Sequence, residues 1–171
     1  MLSKTAIEKY FNAEKAESLL FMAFGLTGII LAVVFFFILK TEIHKGMALP
    51  LTVVGLILAI VGLTVYQRSD RQCVGMVNAF ETNPQQMKQV ELPRMKRVMK
   101  SFVFFRWIEI ILFLTGAGIY LYFIRDFRHD FWRGFGFALA IMSLLALAAD
   151  YFAEKRGKIY TRMLEDFVSR I

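Results

Sequence analysis

Apolar and charged positions follow one another along this chain in long blocks. Four stretches contain no charged residue: 18–39, 46–67, 110–124 and 134–149. An α-helix rises about 1.5 Å per residue and a bilayer core is about 30 Å thick, so a span needs about 20 residues. The third stretch reaches that length when it begins at Phe102, and the fourth when it ends at Phe152. The pattern predicts transmembrane helices at 18–39, 46–67, 102–124 and 134–152.

The composition also indicates a membrane protein. Of the 171 residues, 57% are hydrophobic and 15% are aromatic, and the mean hydropathy is +0.53. A soluble chain of this length has roughly half its residues apolar and one core in which to bury them. The excess excludes a soluble globular domain. The sequence therefore predicts an all-α integral membrane protein with four transmembrane helices.

The connections predict how these helices are arranged. Residues 40–45 and 125–133 are short, which joins the four spans as two hairpins. On the other side, residues 1–17, 68–100 and 153–171 carry apolar residues at helical spacing. We expect an amphipathic helix, a helical hairpin and a helical tail there, which extend the spans into a cytoplasmic helical bundle. Within 68–100, Asn83 and Pro84 predict the start of a new helix, and Pro93 then kinks or restarts it.

The orientation follows from the positive charges. Fifteen of the 21 Lys and Arg residues fall in the three long segments, and five fall in the two short connections. Because positively charged loops stay on the cytoplasmic side, both termini are expected in the cytoplasm, with the spans in a bacterial inner membrane. The net charge of +7 then reflects topology and attraction to anionic membrane lipids rather than nucleic acid, for which no binding module is present.

Charged residues inside the predicted spans are candidate functional groups. Arg106 and Glu109 are three residues apart on the third span, and Asp150 lies near the inner end of the fourth. One interpretation is structural: Arg106 neutralises both carboxylates and locks the two hairpins together. The alternative is a proton-binding or cation-binding carboxylate of a small transporter.

Two further groups of residues invite a functional interpretation. Met76, Met95, Met99 and Met163 would form either an adaptable cytoplasmic docking surface or part of the core between the inner helices. His44, Asp126, His129 and Asp130 share the outer side and are the only candidates for a metal site. Their spacing matches no metal-binding signature, so neither a metal nor a cofactor is predicted.

Glycines within the spans indicate close helix packing. Small side chains allow two helix backbones to approach one another inside a membrane. The positions expected to do this are Gly25 and Gly28, Gly55 with Ala59 and Gly62, and Gly116 with Gly118.

No catalytic motif appears, so the chain is not expected to be an enzyme. The favoured function is protein–protein interaction, as an accessory subunit, a regulator or an immunity-type factor, with a protein partner or further copies of the chain. The alternative is a small oligomeric transporter or channel that uses Glu109 and Asp150.

Overall fold

The computed structural model describes residues 2–171, and nearly all of them are helical. The elements are α1 (Lys4–Val33), a π-helical continuation (Val34–Leu39), α2 (Glu42–Thr82), the short α3 (Pro84–Gln86), a second π-helical segment (Met87–Glu91), α4 (Leu92–Phe123), a 3-10 turn (Phe127–His129) and α5 (Asp130–Val168). Residue 1, the first of the predicted amphipathic segment, lies outside the described residues.

The prediction of an all-helical chain is confirmed. Within residues 2–171, four helices are long and apolar enough to cross a membrane, namely Lys4–Leu39, Glu42–Thr82, Pro84–Phe123 and Phe127–Val168. Each of them covers one predicted span, the third as far as Phe123, and continues beyond the span at one or both ends. The helix predicted to begin after Asn83 does begin at Pro84, and α4 restarts just before Pro93.

The long helices pack in the order α1, α2, α5, α4. Helix α1 lies along α2, α2 lies along α5, and α5 lies along α4, whereas α1 and α4 scarcely touch. One side of the bundle is therefore open between α1 and α4.

Glycines set the closest of these contacts. A Cβ atom built on Gly25 would lie 2.5 Å from the carbonyl oxygen of Gly55, and one built on Gly116 would lie 2.6 Å from the amide nitrogen of Ala140. Gly46 and Gly134 hold the outer ends of α2 and α5 together in the same way, because each lies directly against the backbone of the other helix. The packing role predicted for Gly118 is wrong, since a Cβ there would meet open space.

The inner ends of the helices enclose a hydrophobic core, the inner core. Its fully buried side chains include Ile7 and Phe11 of α1, Met95 of α4 and Leu164 of α5. These positions recur at helical spacing on each element, so every inner segment contributes one apolar face.

Two tyrosines join α1 to α5 within this inner core. The rings of Tyr10 and Tyr160 stack with their centroids 4.1 Å apart. Burial raises the pKa of both phenols well above the ordinary range, so both stay neutral and pack as aromatic groups.

We predict that the Gly116→Ala substitution destabilises the bundle by about 1 to 3 kcal/mol, because the added methyl group forces α4 away from α5. Gly118→Ala is the matched control on the same helix, and it should be neutral or stabilising by up to about 1 kcal/mol. Thermal unfolding in detergent measures both effects. Equal stability of the two variants would show that α4 does not pack closely against α5.

Candidate functional site

A cleft of about 370 Å³ lies where α1 and α4 face one another without packing. Residues of all four long helices line it, so that it reaches the interior of the bundle from its open side. One end of the cleft carries charged side chains, and the other end is apolar. At the charged end most of the charged side chains form ion pairs, whereas the apolar end contains a carboxyl group that forms none.

The charged end is largely neutralised by ion pairs. Arg68 lies 3.9 Å from Glu14, whose carboxylate also accepts a hydrogen bond of 3.0 Å from Ser69. Arg156 pairs with Glu17. These arginines are therefore held by carboxylates of α1 and join α2 and α5 to it.

The apolar end contains a carboxyl group without a partner. Phe21, Phe102 and Phe105 line this end, and Asp150 of α5 lies beside them. Within residues 2–171, Asp150 forms neither an ion pair nor a side-chain hydrogen bond. This end of the cleft thus presents one unpaired carboxyl group in aromatic surroundings.

Glu109 of α4 is the second carboxyl group without a partner. Its Oε2 atom is buried and has no hydrogen-bond partner in the part of the chain that the structure describes. Glu109 and Asp150 are close enough to interact electrostatically. Two of the three residues predicted to form an intramembrane cluster therefore lie within electrostatic range of one another on the packed helices α4 and α5.

The third member of that predicted cluster, Arg106, pairs elsewhere. Its Nη2 atom donates a hydrogen bond of 2.7 Å to Glu154, and Lys158 forms an ion pair with the same carboxylate oxygen at 2.7 Å. The predicted neutralisation of Glu109 and Asp150 by Arg106 is therefore corrected. Helical side chains tilt toward the helix N-terminus, which for α4 is the inner end, so Arg106 extends away from Glu109 and toward Glu154.

The four methionines pack within the inner core or against it. Met95 is fully buried, and Met76, Met99 and Met163 pack against the inner core. Of the two interpretations given from the sequence, this packing favours the core, because the amphipathic faces of the inner helices bury one another and the thioethers fill the space between them.

The residues of the outer connections pair locally. His129 Nδ1 lies 2.8 Å from Asp126, Asp130 pairs with Arg133 at 3.0 Å, and His44 contacts Thr41. The hydrogen bond with His129 lowers the pKa of Asp126 below its ordinary value. No group of three or more His, Cys, Asp or Glu side chains suited to a metal ion occurs among the residues searched, 2–171.

Sequence reasoning missed several of the charged groups of the site. Glu14 follows Ile7 and Phe11 at helical spacing and precedes Ser18, so it lies on the buried face of α1. A carboxylate within an apolar stripe is a signal that could have been recognised. Glu154 gave a weaker signal, its spacing of four residues from Lys158.

We predict that Arg106 is energetically coupled to Glu154 and not to Glu109. In double-mutant cycles of alanine substitutions, the coupling between Arg106 and Glu154 should be about 1 kcal/mol, because the arginine is partly exposed and screened by solvent. The effects of Arg106→Ala and Glu109→Ala should add within about 0.5 kcal/mol. Thermal unfolding in detergent supplies the values, and the reverse order of couplings would restore the pairing inferred from the sequence.

Comparison of this chain with protein families, with curated proteins and with solved structures found no match in any of the three. Its function is therefore inferred from the residues of the site and from the way the helices place them.

Proposed function

We propose that the chain is an integral protein of a bacterial inner membrane, with its four spans arranged as two hairpins and both termini in the cytoplasm. The hydropathy of the four long helices supports insertion. The concentration of Lys and Arg in the three long segments supports the orientation. The inner core then lies on the cytoplasmic side, and the cleft lies where the spans enter the membrane.

Within that arrangement, the protein binds and moves a solute rather than transforming one. It acts as a small oligomeric transporter or channel whose functional groups are Glu109 and Asp150. The observation that carries this proposal is that neither carboxyl group has a cationic partner within residues 2–171, while Arg106 pairs with Glu154.

The energetic cost of such carboxyl groups supports a binding role. An ionised carboxylate within a span is costly unless it is paired, and a second one nearby adds repulsion. Glu109 and Asp150 are therefore more stable when one of them takes up a proton or when a cation lies between them. Uptake of a cation on one side of the membrane and release on the other is the step that transport requires.

The open side of the bundle supports an oligomer. The α1–α4 side of one chain is not closed by protein, and the faces of α4 that point away from α5 are exposed, as at Phe104 and Trp107. A second copy of the chain would close this side and so enclose a polar path across the membrane.

Protein–protein interaction remains a second candidate function, as for an accessory subunit, a regulator or an immunity-type factor. The observation in its favour is the folded inner domain, in which all four long helices contribute side chains to one hydrophobic core. If the purified protein moved no solute, this second candidate would be preferred.

We predict that the protein in sealed proteoliposomes dissipates an imposed proton gradient when a monovalent cation is more concentrated on the opposite side of the membrane. A pH-sensitive dye inside the vesicles measures the flux. Glu109→Gln and Asp150→Asn should each lower the rate by at least about tenfold, equivalent to about 1.4 kcal/mol in activation free energy. Asp166→Asn removes an exposed carboxylate of α5 and should leave the rate unchanged. Equal flux in all four proteins, or none in any, would contradict the transporter proposal.

The topology can be tested with cysteines. The native Cys73 is a poor reporter, because it packs against the inner core and burial raises the pKa of its thiol. In a Cys73→Ser background, we predict that Val74→Cys, at a position where valine is 72% exposed, reacts with a membrane-impermeant maleimide only in inverted vesicles. Phe127→Cys, at the outer connection, should react only in intact cells. Labelling of position 74 in intact cells would reverse the proposed orientation.

A further inference from the structure

We propose that the cleft between α1 and α4 binds an amphiphilic organic cation, with the positive charge beside Asp150 and the apolar body against Phe21, Phe102 and Phe105. This inference rests on the proposed function, because it names the class of solute that the carboxyl groups receive. It is carried by the shape of the cleft, by the charges that remain free in it and by its aromatic lining.

The shape suits a small molecule that enters from the membrane or from the cytoplasmic surface. The volume of about 370 Å³ falls within the range of about 300 to 1,000 Å³ that small-molecule sites occupy. A second groove of about 150 Å³ continues from Phe21 along α1 and α5, past Leu31 and Leu145, and its lining is almost entirely apolar. An alkyl or aromatic group can extend into this groove while the charged group stays in the cleft.

The free charges select a cation over an anion. Of the three arginines that line the cleft, Arg68 and Arg156 are paired with carboxylates of α1, and Arg97 is exposed at the inner end. At the apolar end, Asp150 has no partner in the described chain, and Glu109 adds a second carboxyl group nearby. An anion placed there would meet the unpaired carboxyl group of Asp150, with Glu109 beyond the lining, whereas a cation would be attracted to it.

The aromatic lining favours a large, weakly hydrated cation over an inorganic one. Aromatic faces attract organic cations through the ring quadrupole, and the attraction is strongest where water is excluded. Phe21 and Phe102 are half-buried, and Phe105 is 52% exposed on the open side of the cleft. A metal ion would need several oxygen ligands, whereas Asp150 is the one carboxylate among the described residues that line this end of the cleft, and Glu109 lies outside the lining.

The test uses two probes of the same shape and opposite charge, tetraphenylphosphonium and tetraphenylborate. Binding of each probe to the full-length protein, purified in an uncharged detergent, is measured by equilibrium dialysis. We expect the wild-type protein to bind the phosphonium at least about tenfold more tightly than the borate. Asp150→Asn should lower the affinity for the phosphonium about tenfold, so that the two probes then bind with nearly equal affinity.

A matched pair of phenylalanines tests the cleft without depending on Asp150. Phe105→Ala should weaken phosphonium binding about three- to tenfold, because the ring lines the cleft. Phe104→Ala removes a neighbouring ring that is 64% exposed and outside the lining, and it should have no effect. Both rings are exposed, so neither variant is expected to disturb folding.

Three results would overturn the inference: equal binding of the two probes by the wild-type protein, phosphonium binding that is insensitive to Asp150→Asn, or equal loss in the two phenylalanine variants. Each of these results would indicate that the cleft is a nonspecific apolar groove, of the kind that a lipid acyl chain fills. The inference can fail separately from the proposed function. Proton flux without phosphonium binding would retain the transporter and reject this class of solute, whereas phosphonium binding without flux in proteoliposomes would retain the site and reject transport.

Discussion

Backbone contact at glycine decides which helices of this bundle touch. At Gly25 with Gly55, at Gly116 with Gly136, and at Gly46 and Gly134, one helix lies so close to the next that a side chain of any size would collide with backbone atoms. Because dispersion contacts drive helix association where there is no water to expel, these close approaches determine the order α1, α2, α5, α4. No such contact joins α1 to α4 in the part of the chain that the structure describes. The bundle is therefore open between α1 and α4, the pair of long helices that no glycine contact joins, and the cleft lies on that side.

The direction of helix α4 decides which carboxylate Arg106 neutralises. Side chains lean toward the N-terminus of their helix, and the N-terminus of α4 lies at the inner end. Arg106 therefore reaches Glu154, one of the buried carboxylates, at 2.7 Å, and Lys158 reaches the same oxygen. An arginine that precedes a glutamate by three residues is in the less favourable order for pairing along a helix. Glu109 and Asp150 are left without a cation because Glu154 lies on the side toward which the arginine already points.

The sequence was sufficient to predict properties that depend on neighbouring residues alone. It was not sufficient to predict properties that depend on how one helix is positioned along another. The uncharged stretches located all four long helices, since hydropathy over about 20 residues is a local property. Asn83 and Pro84 marked a helix start for the same reason. The partner of Arg106 could not be derived, because it depends on how far α4 is shifted along α5. Met95 is buried in the core, and a side chain at Gly118 would meet open space. Both facts depend on which face of α4 packs against the other helices, and composition does not specify that face.

The two ends of the bundle are joined by different kinds of contact, and this difference bears on how the cleft could change. At the outer end, α2 and α5 meet backbone to backbone at Gly46 and Gly134. Atoms in that contact cannot move apart without losing the packing of both helices. At the inner end, α1 and α5 are joined through side chains, by the stack of Tyr10 on Tyr160 and by the Glu17–Arg156 ion pair. Side chains can change rotamer while the backbones stay helical. Separation of α1 from α5 at the charged end of the cleft would therefore require the Glu17–Arg156 ion pair to break, without loss of the backbone contact between α2 and α5 at Gly46 and Gly134.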